Sequence, residues 1–368
     1  MKAVLAFLVI CVALAICGGC SVAPISLSGL DKNAYLTDEA RIDKLVDGER
    51  ACVMAQAALC AYDVEQHTTT DGKLDQRFCL GLSGFAPVEA YGTPKPYAPQ
   101  TKSAWVTAGL RGPVVRVQVP DYGAKPSDAA FVARRGEDII IAFRGTAPSF
   151  YEFAFSADWA NNVEADLVPD KDLSDVDIHK GFRESLASTF SDVVKYLNAL
   201  LAERGKSIKG IYLTGHSKGG ALAYIAALKL KRLDPRLPIK GVYTFAAPRP
   251  GGEKFSKTYE SALAAVPTWR FENRGDFVPH LVPQEAEADS LREYLALVGR
   301  HKFPIGRYQS VGTLVFINAD QGLVLQMDPR ASKLAELRAR SISIGGTLSA
   351  HRMESYLETA CKRAPFAR

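Results

Sequence analysis

Apolar residues recur along this chain with changing spacing, and each spacing predicts a different element. Behind Lys2, residues Ala3 to Cys17 form an unbroken apolar run. The run is shorter than the ~20 residues that cross a bilayer and suits the apolar region of an export signal. Between 38 and 63, Leu45, Val46, Val53, Met54, Ala57 and Cys60 fall at helical spacing and predict one helix. From 64 to 127, glycine, proline and polar residues dominate, so that segment reads as irregular with short strands.

Beyond 128 the pattern sharpens. "AAFVARRGEDIIIAFRGT" is two apolar runs around Arg135, Gly136, Glu137 and Asp138, which predicts a hairpin. Phe182, Leu186, Phe190, Val193, Leu197 and Leu200 share one helical face, with Gly205 as the stop. "IKGIYLT" predicts a short strand, "KGGALAYIAALKLKRL" a helix, and "IKGVYTFAA" and "TWRFENR" two further strands. Strands alternating with helices imply an α/β fold whose mainly parallel central sheet is flanked by helices on both faces. No composition break divides 128 to 360. The expected organisation is a signal peptide (1–19), a tether (20–37), a helical and irregular extension (38–127) and one catalytic domain (128–368).

Composition narrows the class. The 368 residues are 47% apolar, enough for a large core. The net charge of +5 is mild and spread out. No basic stripe is interleaved with aromatics, so nucleic acid is not an expected partner. "CGGCS" resembles a bacterial lipoprotein cleavage site, with Gly18 and Gly19 directly before Cys20 and Cys17 where an aliphatic residue is usual. That resemblance implies a lipid on Cys20, a membrane surface as partner and, through Ser21, an outer-membrane destination; ordinary secretion is the alternative. Of seven cysteines, Cys52, Cys60, Cys79 and Cys361 then remain. They form either two disulfides in an oxidising compartment, with three possible connectivities, or stay as buried thiols. They contain no zinc-type spacing, so no structural metal is expected.

The candidate chemistry centres on "GHSKG" at 215–219. The bare pattern is weak, but here it lies between a predicted strand and a predicted helix. That is the setting of a nucleophile elbow, where Gly215 and Gly219 permit a sharp turn and the helix start favours negative charge beside Ser217. A serine nucleophile needs a base, and the base needs an orienting acid. His280, His301 and His351 follow Ser217. Asp276 lies just past "TWRFEN", at a strand's carboxyl end where α/β active sites gather, although a turn aspartate after Gly275 is the plain alternative.

"AFRGT", "VDIHKGF", "LTGHSKGGALA", "FAAPRPG" and "NRGDFVPHLVP" occur in that order. Together they resemble the class 3 lipase family, fungal-type triacylglycerol lipases with the α/β-hydrolase fold. The resemblance implies Ser217 as nucleophile, Asp276 as acid and His351, in "AHRMESYL", as base. His301 is the second choice, and His280 stands where the family has a histidine that is not the base. It also implies an oxyanion hole from the N–H of Lys218 and from Thr146, and an elbow supported by His216. Lys218 departs from the hydrophobic residue commonest there. Arg144 and His179 match structural positions, and His67 reads as a loop residue. Phe150, Tyr151, Phe153 and Phe155 fall where the family has a lid; core packing is the alternative. The expected activity is cofactor-free hydrolysis of lipid carboxylic esters. The alternatives are a phospholipase A1 or acyltransferase with the same triad, or a non-catalytic envelope lipoprotein that binds lipid or protein.

Overall fold

The computed structural model describes residues 26–27, 29–63, 111–119, 128–146, 166–204, 207–281, 283–288, 305–318, 322–328, 331, 333–341 and 349–362. In chain order the elements are β1 (Tyr35–Leu36), α1 (Glu39–Val46), α2 (Gly48–Cys60), β2 (Arg111–Val119), β3 (Asp128–Arg135) and β4 (Asp138–Phe143). Then come β5 (Leu167–Asp170), β6 (Val176–His179), α3 (Lys180–Arg204), β7 (Gly210–His216), α4 (Lys218–Leu233) and β8 (Ile239–Phe245). Next are β9 (Gly251–Gly252), α5 (Glu253–Ala262), β10 (Thr268–Asn273), α6 (Glu285–Ala288) and β11 (Tyr308–Gln309). The last are β12 (Thr313–Asn318), β13 (Gly322–Gln326), α7 (Lys333–Arg340) and α8 (Met353–Cys361).

The main sheet has nine strands in the order β1-β13-β12-β10-β8-β7-β4-β3-β2. Its centre, β4-β7-β8-β10-β12, is parallel, and both flanks are antiparallel. The apolar run of β4 shows why. Ile140 and Ala142 face one core with α1, α2 and α8, while Ile139, Ile141 and Phe143 face the other with α3, α4 and α5. A strand covered on both faces needs apolar residues at every position, not at alternate ones. A smaller antiparallel sheet, β11-β9-β6-β5, stands apart from the main one.

The structure differs from the sequence expectation at the N-terminal side. The single helix expected over 38–63 is two helices broken at Asp47, whose φ is +56°. Asp47 closes α1 through its N–H to the Asp43 carbonyl and caps α2 by accepting from the Arg50 N–H. Asp-Gly is a turn signal that the helical spacing masked.

The divisions at 37 and 127 do not separate cores either. Tyr35, within the expected tether, is buried in β1 and pairs with Gln326 of β13. Every residue from Ala51 to Cys60 is buried, so α2 is covered on all sides by the sheet and α8. β2 pairs with β3 across 127.

Cys52 and Cys361 form a disulfide that joins α2 to α8 across 309 residues of sequence. Cys60 is also disulfide-bonded, to a partner outside the described residues. The alternative of four free thiols is thereby overturned. Cys20, His67, Cys79, Phe150, Tyr151, Phe153, Phe155, Gly205 and His301 lie outside the described residues. No helix among the described residues is long and apolar enough to cross a membrane.

Candidate active site

Ser217 sits between β7 and α4 with φ +56° and ψ −131°. A non-glycine residue there costs about 1–3 kcal/mol and persists only where its surroundings fix it. The surroundings are tight: a Cβ on Gly215 would strike the Gly219 carbonyl, and one on Gly219 would strike the carbonyl of Phe143. The Ser217 N–H donates to the Phe245 carbonyl at 2.9 Å, which ties the turn to β8. The Ser217 hydroxyl makes no cap bond to α4, although it stands at the capping position. It faces His351 instead.

His351 Nε2 lies 3.1 Å from Ser217 Oγ, and His351 Nδ1 lies 2.9 Å and 3.1 Å from the two oxygens of Asp276. All three residues are buried. A carboxylate accepts, so Nδ1 carries the proton and Nε2 accepts from the serine hydroxyl. Asp276 is itself held. The Val278 N–H donates to its Oδ1 at 2.9 Å and the Tyr356 hydroxyl to its Oδ2 at 2.7 Å. Tyr356 in turn accepts from the Asn273 N–H at 2.8 Å, and the Asn273 side chain donates to the Ala350 carbonyl at 2.9 Å. The end of β10 thus positions both Asp276 and the loop that carries His351. Burial, and then the Asp276 charge, push the Tyr356 hydroxyl well above the ordinary tyrosine value, so it stays a donor.

Known proteins resemble this chain over part of its length. Residues 140–286 match the family described as lipase (class 3). Phospholipase A(1) DAD1, chloroplastic, of Arabidopsis thaliana is 26% identical over 298 residues, 73% of this chain and 62% of that protein. A lipase of Rhizomucor miehei is 31% identical over 160 residues, 42% of this chain and 40% of that protein. The chain therefore spans less than two thirds of either relative's length. A triacylglycerol lipase whose catalytic centre is a serine protease triad superposes with a TM-score of 0.56 at 19% identity, covering 86% of this chain and 94% of its own. Lipase II from Rhizopus niveus gives 0.54 at 18%, covering 82% and 89%. This is the α/β-hydrolase fold.

In the α/β-hydrolase fold the nucleophile tops a strand and opens a helix, and the order is Ser, acid, His. Ser217 lies between β7 and α4, and Asp276 and His351 follow it in that order. Lys218 is the first residue of α4, directly after Ser217. Thr146 follows Gly145, and a Cβ on Gly145 would lie 3.1 Å from Ser217 Cβ. His216 does not touch the serine hydroxyl: its Nδ1 lies 2.7 Å from the Tyr62 hydroxyl and its Nε2 2.7 Å from the His351 carbonyl oxygen.

His280 is held elsewhere. Its Nδ1 is 3.0 Å from Glu287, which also takes two 2.8 Å bonds from Arg249 and one from the Gln284 N–H. Arg338 links His280 to Glu272, which Arg270 also contacts. His179 stacks on Phe182 and accepts from its N–H. The buried Arg-Glu-His network and Tyr62 were not expected from sequence. The available signal was Arg270 and Glu272 two apart on one strand, hence on one face.

Proposed function

We propose that this chain is a serine hydrolase of carboxylic esters of lipids, lipase-like, working through an acyl-enzyme on Ser217. The supporting observation is the continuous hydrogen-bonded line from Ser217 through His351 to Asp276. Ser217 Oγ attacks the ester carbonyl as His351 Nε2 takes its proton, and the Asp276 carboxylate orients and stabilises the imidazolium. The tetrahedral oxyanion is received by the N–H of Lys218 and by Thr146 at the positive end of α4. His351 then protonates the leaving alcohol, and water, activated by the same imidazole, releases the acid. Each step is supplied by side chains and backbone of this chain.

A second reading, phospholipase A1 with the same triad, is favoured by the Arabidopsis relative, which aligns over 73% of this chain against 42% for the Rhizomucor lipase. The disulfide joining Cys52 and Cys361 favours an oxidising, exported setting. In that setting we place a lipid on Cys20 and a membrane surface beside the enzyme. The test is a panel of triglycerides, monoesters and phospholipids given to the purified protein. Release of fatty acid from glycerides supports the lipase reading, and preferential cleavage of phospholipid at its first acyl ester supports the second. Hydrolysis of none would overturn both.

A further inference from the structure

We propose that Tyr62 is a positioning residue for this chemistry, its hydroxyl tying the oxyanion-hole strand, the nucleophile elbow and the base loop into one unit through His216. The inference rests on the hydrolase reading above and adds a part that the triad does not contain.

Tyr62 lies in the turn of 3-10 helix that ends α2, two residues after the disulfide-bonded Cys60. Its hydroxyl comes so close to Gly145 that a Cβ there would collide with it. The hydroxyl oxygen accepts the Gly145 N–H. The same oxygen lies 2.7 Å from His216 Nδ1. His216 Nε2 meets a carbonyl oxygen, that of His351, at 2.7 Å. A carbonyl only accepts, so Nε2 must carry the imidazole proton and Nδ1 must be the bare acceptor. Tyr62 is the group that makes this tautomer the better one.

The ring stays neutral, because burial pushes the His216 pKa well below its ordinary value. Burial likewise raises the Tyr62 hydroxyl, which keeps its proton. The result is a directed chain: Gly145 N–H to Tyr62 oxygen, Tyr62 hydroxyl to His216, His216 to the His351 backbone. One end is next to Thr146, the middle is next to Ser217, and the far end is the backbone of the base. Without the hydroxyl, His216 is free to carry its proton on Nδ1. Its Nε2 lone pair would then face the His351 carbonyl, and the backbone that aims the base would lose this anchor. A misplacement of about 1 Å at a reacting group can cost about 10²-fold in rate.

The test is Tyr62→Phe, which keeps the ring and removes one oxygen. The full-length protein is purified with ¹⁵N-labelled histidine, and kcat and KM are measured on a soluble ester. The expected result is kcat lowered roughly 10- to 100-fold with KM changed little. The His216 nitrogens should shift from the Nε2–H pattern toward a mixture. Unchanged kcat, or a His216 tautomer identical to that of the wild type, overturns the proposal. Reaction of Ser217 with a fluorophosphonate separates the two levels of inference. If the wild type is labelled and Tyr62→Phe turns over normally, the role of Tyr62 alone falls. If the wild type is neither labelled nor active, the hydrolase reading falls and this proposal with it. Should Tyr62→Phe not fold, 3-fluorotyrosine at position 62 keeps the hydroxyl and strengthens it as a donor. The His216 Nδ1 resonance must then move, and a resonance that stays in place overturns the proposal.

Discussion

The Tyr356 hydroxyl donates to Asp276 Oδ2 at 2.7 Å, and the same oxygen lies 2.9 Å from His351 Nδ1. Tyr356 sits on α8, five positions after His351, so one short stretch carries both His351 and the clamp on Asp276. The Val278 N–H holds the other carboxylate oxygen. Asp276 therefore cannot turn away from His351 without breaking a buried bond to a charged group.

Removing that clamp tests its value. Tyr356→Phe should lower stability by about 1.5–3 kcal/mol, the usual worth of a hydrogen bond to a charged group. It should also reduce kcat roughly tenfold by loosening His351. Urea unfolding and ester kinetics on the same preparation check both. Unchanged values of both would show that the contact does no positioning.

The base assignment is tested against its rivals. His351→Ala should match Ser217→Ala in severity, and combining the two should add little, because triad members act as a unit. His301→Ala should be far milder. His280→Ala should act on stability, since its imidazole is bonded to Glu287. Steady-state kinetics with thermal unfolding of each variant rank them.

Acid should weaken the network around His280. Burial alone would raise the Glu287 pKa, but the Arg249 charge and the hydrogen bonds from His280 and the Gln284 N–H outweigh it and hold the carboxyl well below the ordinary range. Its folded-state pKa is thus depressed relative to the unfolded value of about 4.3. The stability it contributes is present above that pH and is lost as pH falls toward the folded value. Unfolding free energy should therefore decline from about pH 5 downward. Glu287→Gln should remove part of that slope, and an unchanged slope in the variant would contradict the assignment.

The Cys52–Cys361 bridge fastens α8, and with it Tyr356, to α2. The Cys52→Ala, Cys361→Ala double variant should lose about 2–5 kcal/mol. Denaturant unfolding of the oxidised wild type against the variant measures it. A loss below 1 kcal/mol would mean that packing alone holds α8.

Much of the centre of the fold is legible in sequence, because strands buried on both faces carry apolar residues at every position. Ile139 to Phe143 and Ile211 to Leu213 are such runs, and the elbow lies at the end of the second. Strand-turn-helix context singles out Ser217, which the spacing of its motif alone does not. The N-terminal side was less legible. Asp47 breaks a helix whose apolar spacing runs on through it, and β1 is a two-residue strand whose pairing depends on β13, some 290 residues later in sequence. The Arg249, Arg270, Glu272, Glu287 and Arg338 network is announced locally only by Arg270 and Glu272, two apart on β10; its other members come from separate elements. Tyr62 acts on His216 across 154 positions of sequence.

The acyl-enzyme on Ser217 can be looked for by rapid quenching of the reaction with a chromogenic ester, followed by peptide mass spectrometry. The wild type should show the acyl mass on the peptide that contains Ser217. Ser217→Ala, folded and with its disulfides intact, should show none and should lose on the order of 10⁴- to 10⁶-fold in kcat. Near-normal turnover by folded Ser217→Ala, or an acyl group found on another residue, would contradict the mechanism.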